Sequence, residues 1–398
     1  MQALTRRQIG RESRLPMNQR SYLDYNATAP IRTEVREAFA EALGIFGNPS
    51  SVHEEGRAAR TAIEAARVKV ARLVGAAPED VIFTSGGTEA NALALAAQSG
   101  DAWRCYLSAI EHPSVLAGGR FYRETTTLLP VSGDGVIDLE ILAIELEKHH
   151  LEGWRPFVSL MAANNETGGI QPVAEASEIV HDAGGLLHSD AVQAAGRMTL
   201  DMTTLGADML SLSAHKIGGP KGIGALVVKP RVSVEPLLKG GGQERRKRAG
   251  TENVAGIVSF GVAAELASAD LANTGSIGAL KAALEEGALA IAPEAVILSG
   301  AAPRLVNTSC IAVPGAKAET LVIGLDLGGV AVSAGSACSS GKVEASHVLR
   351  AMGVAPELAQ GAIRVSLGIG TTSDDIERFL GVFGALIKRL KQSRKVAA

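Results

Sequence analysis

The run Ser213-Ala214-His215-Lys216 closes an apolar stretch, Met209 to Leu212, with a polar cluster that presents one lysine. Upstream, Leu186-Leu187-His188-Ser189-Asp190 closes a second apolar stretch in a carboxylate. A lysine able to hold a Schiff base and an aspartate able to face a pyridine nitrogen are the two protein groups that pyridoxal phosphate chemistry needs. Taken singly, each also reads as a surface lysine or a helix-capping aspartate, so a third element must join them. Gly86-Gly87-Thr88 offers one, because free backbone N–H groups and the helix dipole at a strand-to-helix turn bind phosphate. The same turn could be a plain helix cap. It lacks the GK[ST] ending of a Walker loop and a complete GxGxxG, which points away from nucleotide triphosphatases and dinucleotide enzymes.

Other candidates lie near the ends of further apolar runs. His112, in Glu111-His112-Pro113, could lie over a flat ring or move protons, or be a structural histidine. Asn165, in Asn164-Asn165-Glu166, could donate to a ring oxygen or a substrate carboxylate, or serve an Asx turn. Arg364 is a charge within the apolar run Ile363-Arg364-Val365-Ser366 and suits bidentate capture of a carboxylate. Of the three cysteines, Cys105 and Cys310 sit in apolar strand patterns and read as small core residues. Cys338 sits among small residues, Ser333 to Gly341, where nothing is large enough to bury it, and it is a nucleophile candidate. His149-His150 invites a metal reading, but adjacent residues diverge on a helix and no HExxH accompanies them, so no metal site is expected. Glu244 to Arg248 is a charge run beside Gly240 to Gly242, expected to be a mobile surface loop.

The elements that must position these residues follow from pattern. Apolar positions between Ala58 and Val74 recur at three and four, an amphipathic helix. Val81-Ile82-Phe83 and the runs at 105–109, 157–161, 186–188, 209–212 and 225–228 are strands separated by helical or glycine-punctuated segments. This alternation predicts an α/β fold with a mostly parallel, doubly wound sheet, whose active residues gather at the carboxyl ends of strands. The small, polar stretch Ala269 to Gly278 reads as a linker. It divides a tail (1–20), a large domain (21–270) and a smaller α+β domain (271–398) that carries the cysteine loop (333–343).

The 398 residues are 46% hydrophobic and 20% charged, with net charge −3, so neither nucleic acid nor an anionic membrane is implied. An odd number of cysteines, no spanning apolar run and no secretory pattern suggest a cytoplasmic protein. The Arg-rich start resembles a transit peptide only weakly, and Met17 could be an alternative start.

Taken in order, YLDYNATAP, GNPSSVH, SGGTEAN, EHPSV, NNETGGIQ, HSDAVQ, SLSAHKIGGPKGIGAL, GGGQERRKRAGTEN, SAGSACSSG, HVLRAMG and IRVSLG resemble the NifS/IscS-type cysteine desulfurases. These belong to the fold-type I pyridoxal phosphate enzymes, built on a seven-stranded, mostly parallel sheet, and the match runs from about Tyr22 to Leu390. The resemblance implies removal of sulfur from L-cysteine to give L-alanine and a persulfide on Cys338, for transfer to an acceptor such as an iron–sulfur scaffold. It implies that Lys216 holds pyridoxal phosphate and acts as the base, Asp190 pairs with the ring nitrogen, and Gln193 bonds the phenolic oxygen. Gly87, Thr88, Ser213 and His215 would hold the phosphate, and Thr251 would reach that of a partner subunit, implying a homodimer. His112 would stack on the ring, and Asn165 with Arg364 would bind the substrate carboxylate, Asn165 also touching the cofactor. No metal is implied, save that Cys338 could transiently ligate an iron–sulfur cluster.

Departures from the family pattern are Ala29 in Ala27-Thr28-Ala29-Pro30, Ala214 in place of glycine and Gly218 in place of an aromatic residue. The chain also ends at Ala398 without the extended tail through which housekeeping members dock their scaffold, which leaves the acceptor open. The small-residue loop well ahead of Arg364 resembles the long-loop group rather than the SufS-type group. Competing expectations are a selenocysteine lyase or another fold-type I enzyme such as an aminotransferase, and a catalytically silent scaffold.

Overall fold

A computed structural model of the chain describes residues 20–96, 102–150, 153–335 and 346–397. Cys338 therefore lies outside the described residues, as does the tail before Arg20.

The first strand, β1 (Ser21–Tyr22), stands apart from the main sheet. That sheet contains β2 (Val81–Thr84), β3 (Trp103–Ser108), β4 (Thr126–Leu129), β5 (Arg155–Ser159), β6 (Leu186–Asp190), β7 (Met209–Ser213) and β8 (Gly224–Val228), in the spatial order β2-β8-β7-β6-β5-β3-β4. Only β8 runs against its neighbours, and β4, β3, β5, β6 and β7 pair in parallel. Strands covered by helices on both faces are apolar along their whole length. β6, β7 and β8 are buried at every position. β4 was not foreseen: it is one of the sheet's two edge strands and, unlike the other, β2, it is not buried along its length. Its Thr126-Thr127-Leu128-Leu129 is half-exposed and need not read as an apolar run.

Helices Thr33–Ala42 and Glu54–Leu73 cover one side of this sheet together with Val254–Asp270. The last is apolar nearly all round because it packs against both others. Its buried residues belong to the same core cluster as Ile63, Val70 and Phe83.

The predicted linker after this helix is not a linker. Residues 271–273 form a 3₁₀ turn that runs directly into helix Thr274–Ile291. Thr274 and Ser276 return their hydroxyls to the carbonyls of Leu271 and Asn273 at 3.0 and 2.8 Å. Packing of Leu284 and Ala288 into a second core outweighs the low helix propensity of Gly275 and Gly278. Ala267 lies in the first core cluster and Leu284 in the second.

That second core serves a four-stranded antiparallel sheet made of β9 (Val296–Ile297), β10 (Thr308–Ala312), β12 (Ser333–Ala334) and β13 (Ala362–Ser366), in the order β12-β13-β10-β9. Helix Ser373–Ala397 packs beside it through Ile376, Phe379 and Phe383. The remaining strand, β11 (Val330–Ala331), pairs in parallel with β1, and Leu23 is part of this core. Residues 21–23, placed in the large domain by sequence order, thus pack with the smaller one.

Candidate active site

Asp190 and Lys216 arise from neighbouring parallel strands. β6 and β7 pair with Asp190 opposite Ser211, and β7 ends at Ser213, where the 3₁₀ turn Ala214–Lys216 begins. The Lys216 ammonium donates to the carbonyls of Asn26 and Ala27 at 2.6 and 2.9 Å. The segment 24–30 therefore lies against the lysine. His215 meets the same segment, its Nδ1 standing 3.2 Å from Thr28 Oγ1. Burial, reinforced by the charges of Lys216, Lys221 and Arg197, pulls His215 down to about 4, so its ring is neutral at pH 7.

The Asp190 carboxylate accepts one hydrogen bond from the Val192 N–H at 2.9 Å and one from Asn91 Nδ2 at 2.7 Å. The same Asn91 nitrogen donates to Ser114 Oγ, and that hydroxyl stands 2.7 Å from His112 Nδ1. His112 caps helix Pro113–Leu116, its Nδ1 accepting from the Ser114 N–H at 3.1 Å. Burial lowers the His112 pKa, Asp190 opposes this, and the charges of Lys216 and His347 add to it. The imidazole thus feels both of the residues that opened the sequence reading. Asn91 was not singled out in the sequence. Its signal was there, one helical turn beyond Gly87 in SGGTEAN.

Helix Gly87–Ala94 begins directly after β2 and its first turn faces the same strand ends. A Cβ added at Gly87 would stand 2.9 Å from Val192 Cγ2 and 3.4 Å from Ser213 Cβ, so only glycine lets this N-terminus approach the two strand ends. Thr88 is exposed at that N-terminus.

Arg364 on β13 is 4% exposed. It donates to Asp24 Oδ1 at 2.8 Å and to the Asn165 carbonyl at 3.1 Å. Asp24, also unremarked in the sequence, accepts through its other oxygen from Ser333 Oγ at 2.8 Å. Gln193 turns its amide nitrogen to the Asn26 carbonyl at 3.1 Å and its oxygen to Arg197. Thr251 is exposed, and among the described residues it has no hydrogen bond to the Lys216 cluster.

These residues fit a phosphorylated pyridine. A helix start of eight residues offers N–H groups to a phosphate, Asp190 could face a ring nitrogen, and Lys216 lies on the adjacent strand end. Arg364 Nε and Asn91 Oδ1 are buried with no hydrogen-bond partner among the described residues, which leaves a donor and an acceptor for a bound molecule.

The charge run after Gly242 is not the mobile loop that the sequence suggested. Glu244 is 6% exposed and holds Arg67 through two contacts of 2.8 Å, while the Phe83 N–H donates to it at 2.8 Å. Arg67 comes from helix Glu54–Leu73, a pairing that local sequence does not reveal. Cys105 and Cys310 are buried as expected, and desolvation raises both thiols, Cys310 to about 12, so neither is a nucleophile near pH 7.

The aminotransferase class-V family model matches residues 21–379. A cysteine desulfurase of Cereibacter sphaeroides is 45% identical over 94% of this chain and 97% of its own length. Cysteine desulfurase IscS of Dictyoglomus turgidum is 42% identical over 94% and 96% of the two chains. Among solved structures, the NifS-like protein from Rickettsia africae superposes with a TM-score of 0.84 at 35% identity, covering 93% of this chain and 99% of that one. A structure described as SspA in complex with cysteine superposes with a TM-score of 0.74 at 29% identity, covering 87% of this chain and 98% of that one.

Proposed function

The chain belongs to the class-V aminotransferase family and is one of its cysteine desulfurases, and we propose that Lys216 and Cys338 divide the reaction between them. The observation that supports the share of Lys216 is that Asp190 and Lys216 leave the neighbouring strands β6 and β7 and that both charges act on the His112 imidazole. Pyridoxal phosphate, when bound, supplies the electron sink that makes bonds at the amino-acid α-carbon labile.

Gly87, Thr88, Ser213 and His215 would hold the phosphate, and Asp190, fixed by Asn91 and the Val192 N–H, would pair with the ring nitrogen. Gln193 would bond the phenolic oxygen, and His112, its pKa lowered by burial, would cover the ring. Arg364 and Asn165 position the substrate carboxylate, for which the unpartnered Arg364 Nε is a ready donor. Lys216 leaves the carbonyls of Asn26 and Ala27 to move the α-proton.

The Cys338 thiolate then attacks the substrate sulfur. An S–S bond forms as the C–S bond breaks, the electron pair of that bond goes to carbon, and a proton completes the methyl group of L-alanine. The persulfide passes to an acceptor protein for iron–sulfur or other sulfur-cofactor assembly. A second copy of the chain completes the phosphate site through Thr251. The exposed apolar Phe46 and Val52, on either side of Gly47 to Ser51, suit burial against such a copy. The unpaired, buried Cys105 and Cys310 suit a reducing compartment such as the cytoplasm.

Replacement of Cys338 by serine tests the division. Sulfide release from L-cysteine should vanish while the absorption of bound cofactor persists. Near-normal turnover by Cys338→Ser would refute the persulfide step.

A further inference from the structure

The two described ends of chain that flank residues 336–345 meet on one buried carboxylate. Glu166 is 3% exposed and sits in the turn after Asn165, where Asn164 Oδ1 accepts from the N–H groups of Glu166 and Thr167 at 2.8 and 3.0 Å. Glu166 Oε2 accepts from Ser346 Oγ at 2.6 Å. Ser346, itself 6% exposed, caps helix His347–Ala351 by accepting from the Leu349 N–H at 3.1 Å.

On the other side lies Gly335. A Cβ there would stand 2.7 Å from the same Glu166 Oε2 and 3.7 Å from Ser346 Cβ, so a side chain would push carboxylate and serine apart. Two residues earlier, Ser333 is tied to Asp24, which pairs with Arg364. The chain on either side of Cys338 is thus fastened beside the residues assigned to the substrate carboxylate.

We infer that Glu166 is a positioning residue for sulfur transfer, clamping Gly335 to Ser346 so that the segment bearing Cys338 begins and ends next to Asn165 and Arg364. The inference rests on the assignment of Cys338 as the sulfur carrier.

Burial pushes Glu166 up to about 7, against the Ser346 hydrogen bond and the Arg364 charge. The groups facing it are Arg364 on β13, Ser346, and Cys310 on β10, whose thiol is neutral. The Ser346 hydrogen bond and the Arg364 charge offset only part of the cost of burying the carboxylate, since the net shift is upward. Opening the clamp returns the carboxyl to water and its ordinary carboxylate range, so ionisation favours the open form, and the clamp, intact at low pH, slackens as pH rises through 7.

Amide hydrogen exchange of the holoenzyme, followed by mass spectrometry on peptides covering 346–352 and corrected for intrinsic exchange, reads the clamp directly. Wild type should be about tenfold better protected at pH 6 than at pH 8, a difference of about 1.4 kcal/mol. Glu166→Gln should show equal protection at both, and Gly335→Ala should show the slack value already at pH 6. In single-turnover transfer to Cys338, the wild-type pH profile should carry an inflection near 7 that Glu166→Gln lacks. The same pH dependence in wild type and Glu166→Gln, by either readout, would overturn the inference. Exchange needs no L-cysteine. A failed clamp thus leaves the persulfide test standing, and a Cys338→Ser protein that still releases sulfide would sink the carrier assignment while leaving its exchange pattern interpretable.

Discussion

Arg67→Met cuts loose a turn that the chain holds under strain. Glu244, Arg245 and Arg246 have φ of 42, 54 and 65°, three successive left-handed residues, none of them glycine. Each costs roughly 1–2 kcal/mol, so the turn stores about 3–6 kcal/mol. Opposing this, Arg67 and Glu244, both with side chains 3% exposed, share two contacts of 2.8 Å, and Arg67 also donates to the Val81 carbonyl at 2.8 Å. Removing one partner of a buried ion pair costs about 3–5 kcal/mol, because the other charge stays buried and unpaired. Strain and tie are comparable, so methionine at 67, which fills the space without charge, should release the turn. The open population should rise roughly 150- to 5,000-fold. The released stretch, Arg245-Arg246-Lys247-Arg248, is a run of trypsin sites, so limited trypsinolysis of the native protein measures the opening. Cleavage of Arg67→Met within about threefold of wild type would refute the reasoning. A control at the exposed Arg120–Glu235 pair should change nothing measurable. Because Thr251, proposed to reach the phosphate site of a second copy, follows close behind this turn, self-association of the kind proposed should weaken with the rise in cleavage.

Two further outcomes follow from the site and the core. Arg364→Lys keeps the charge but loses the planar fork, so KM for L-cysteine should rise about 10- to 100-fold with cofactor absorption unchanged; an unchanged KM in steady-state assays would remove Arg364 from carboxylate binding. His188 is buried between Ser159 and Ser211 and desolvation pulls it down to about 3. The folded state thus binds this proton less readily than the unfolded chain, and the His188 contribution is complete above about pH 6.5 and lost as pH falls toward 3. Denaturant titrations should show wild type losing about 2 kcal/mol more than His188→Gln between pH 7 and pH 5, and parallel losses would contradict the assignment.

Lys216 and Asp190 were legible because each ends an apolar run in a polar residue, and a parallel sheet places such ends together. Cys105 and Cys310 were legible as core residues for the same reason, since burial leaves an apolar signature around them. What the sequence hid depends on partners distant along the chain. Glu244 reads as one member of a surface charge run until Arg67 meets it. Asp24 reads as a turn residue until Arg364 and Ser333 close on it. Asn91 is one polar residue in an Ala-rich helix, and only the approach of Asp190 gives it a task. The small-residue stretch after Asp270 was misread because composition reports propensity, while packing against Leu284 and its neighbours decides the helix. β4 was missed because this edge strand, unlike β2, is not buried along its length.

On the proposed division of labour, sulfur leaves L-cysteine for Cys338. Purified protein incubated with L-cysteine, quenched without reductant and digested should yield the peptide containing Cys338 heavier by one sulfur atom, with L-alanine formed in equal amount and the Cys105 and Cys310 peptides unchanged. L-alanine formed without added mass on the Cys338 peptide, or the extra sulfur found on Cys105 or Cys310, would contradict the account.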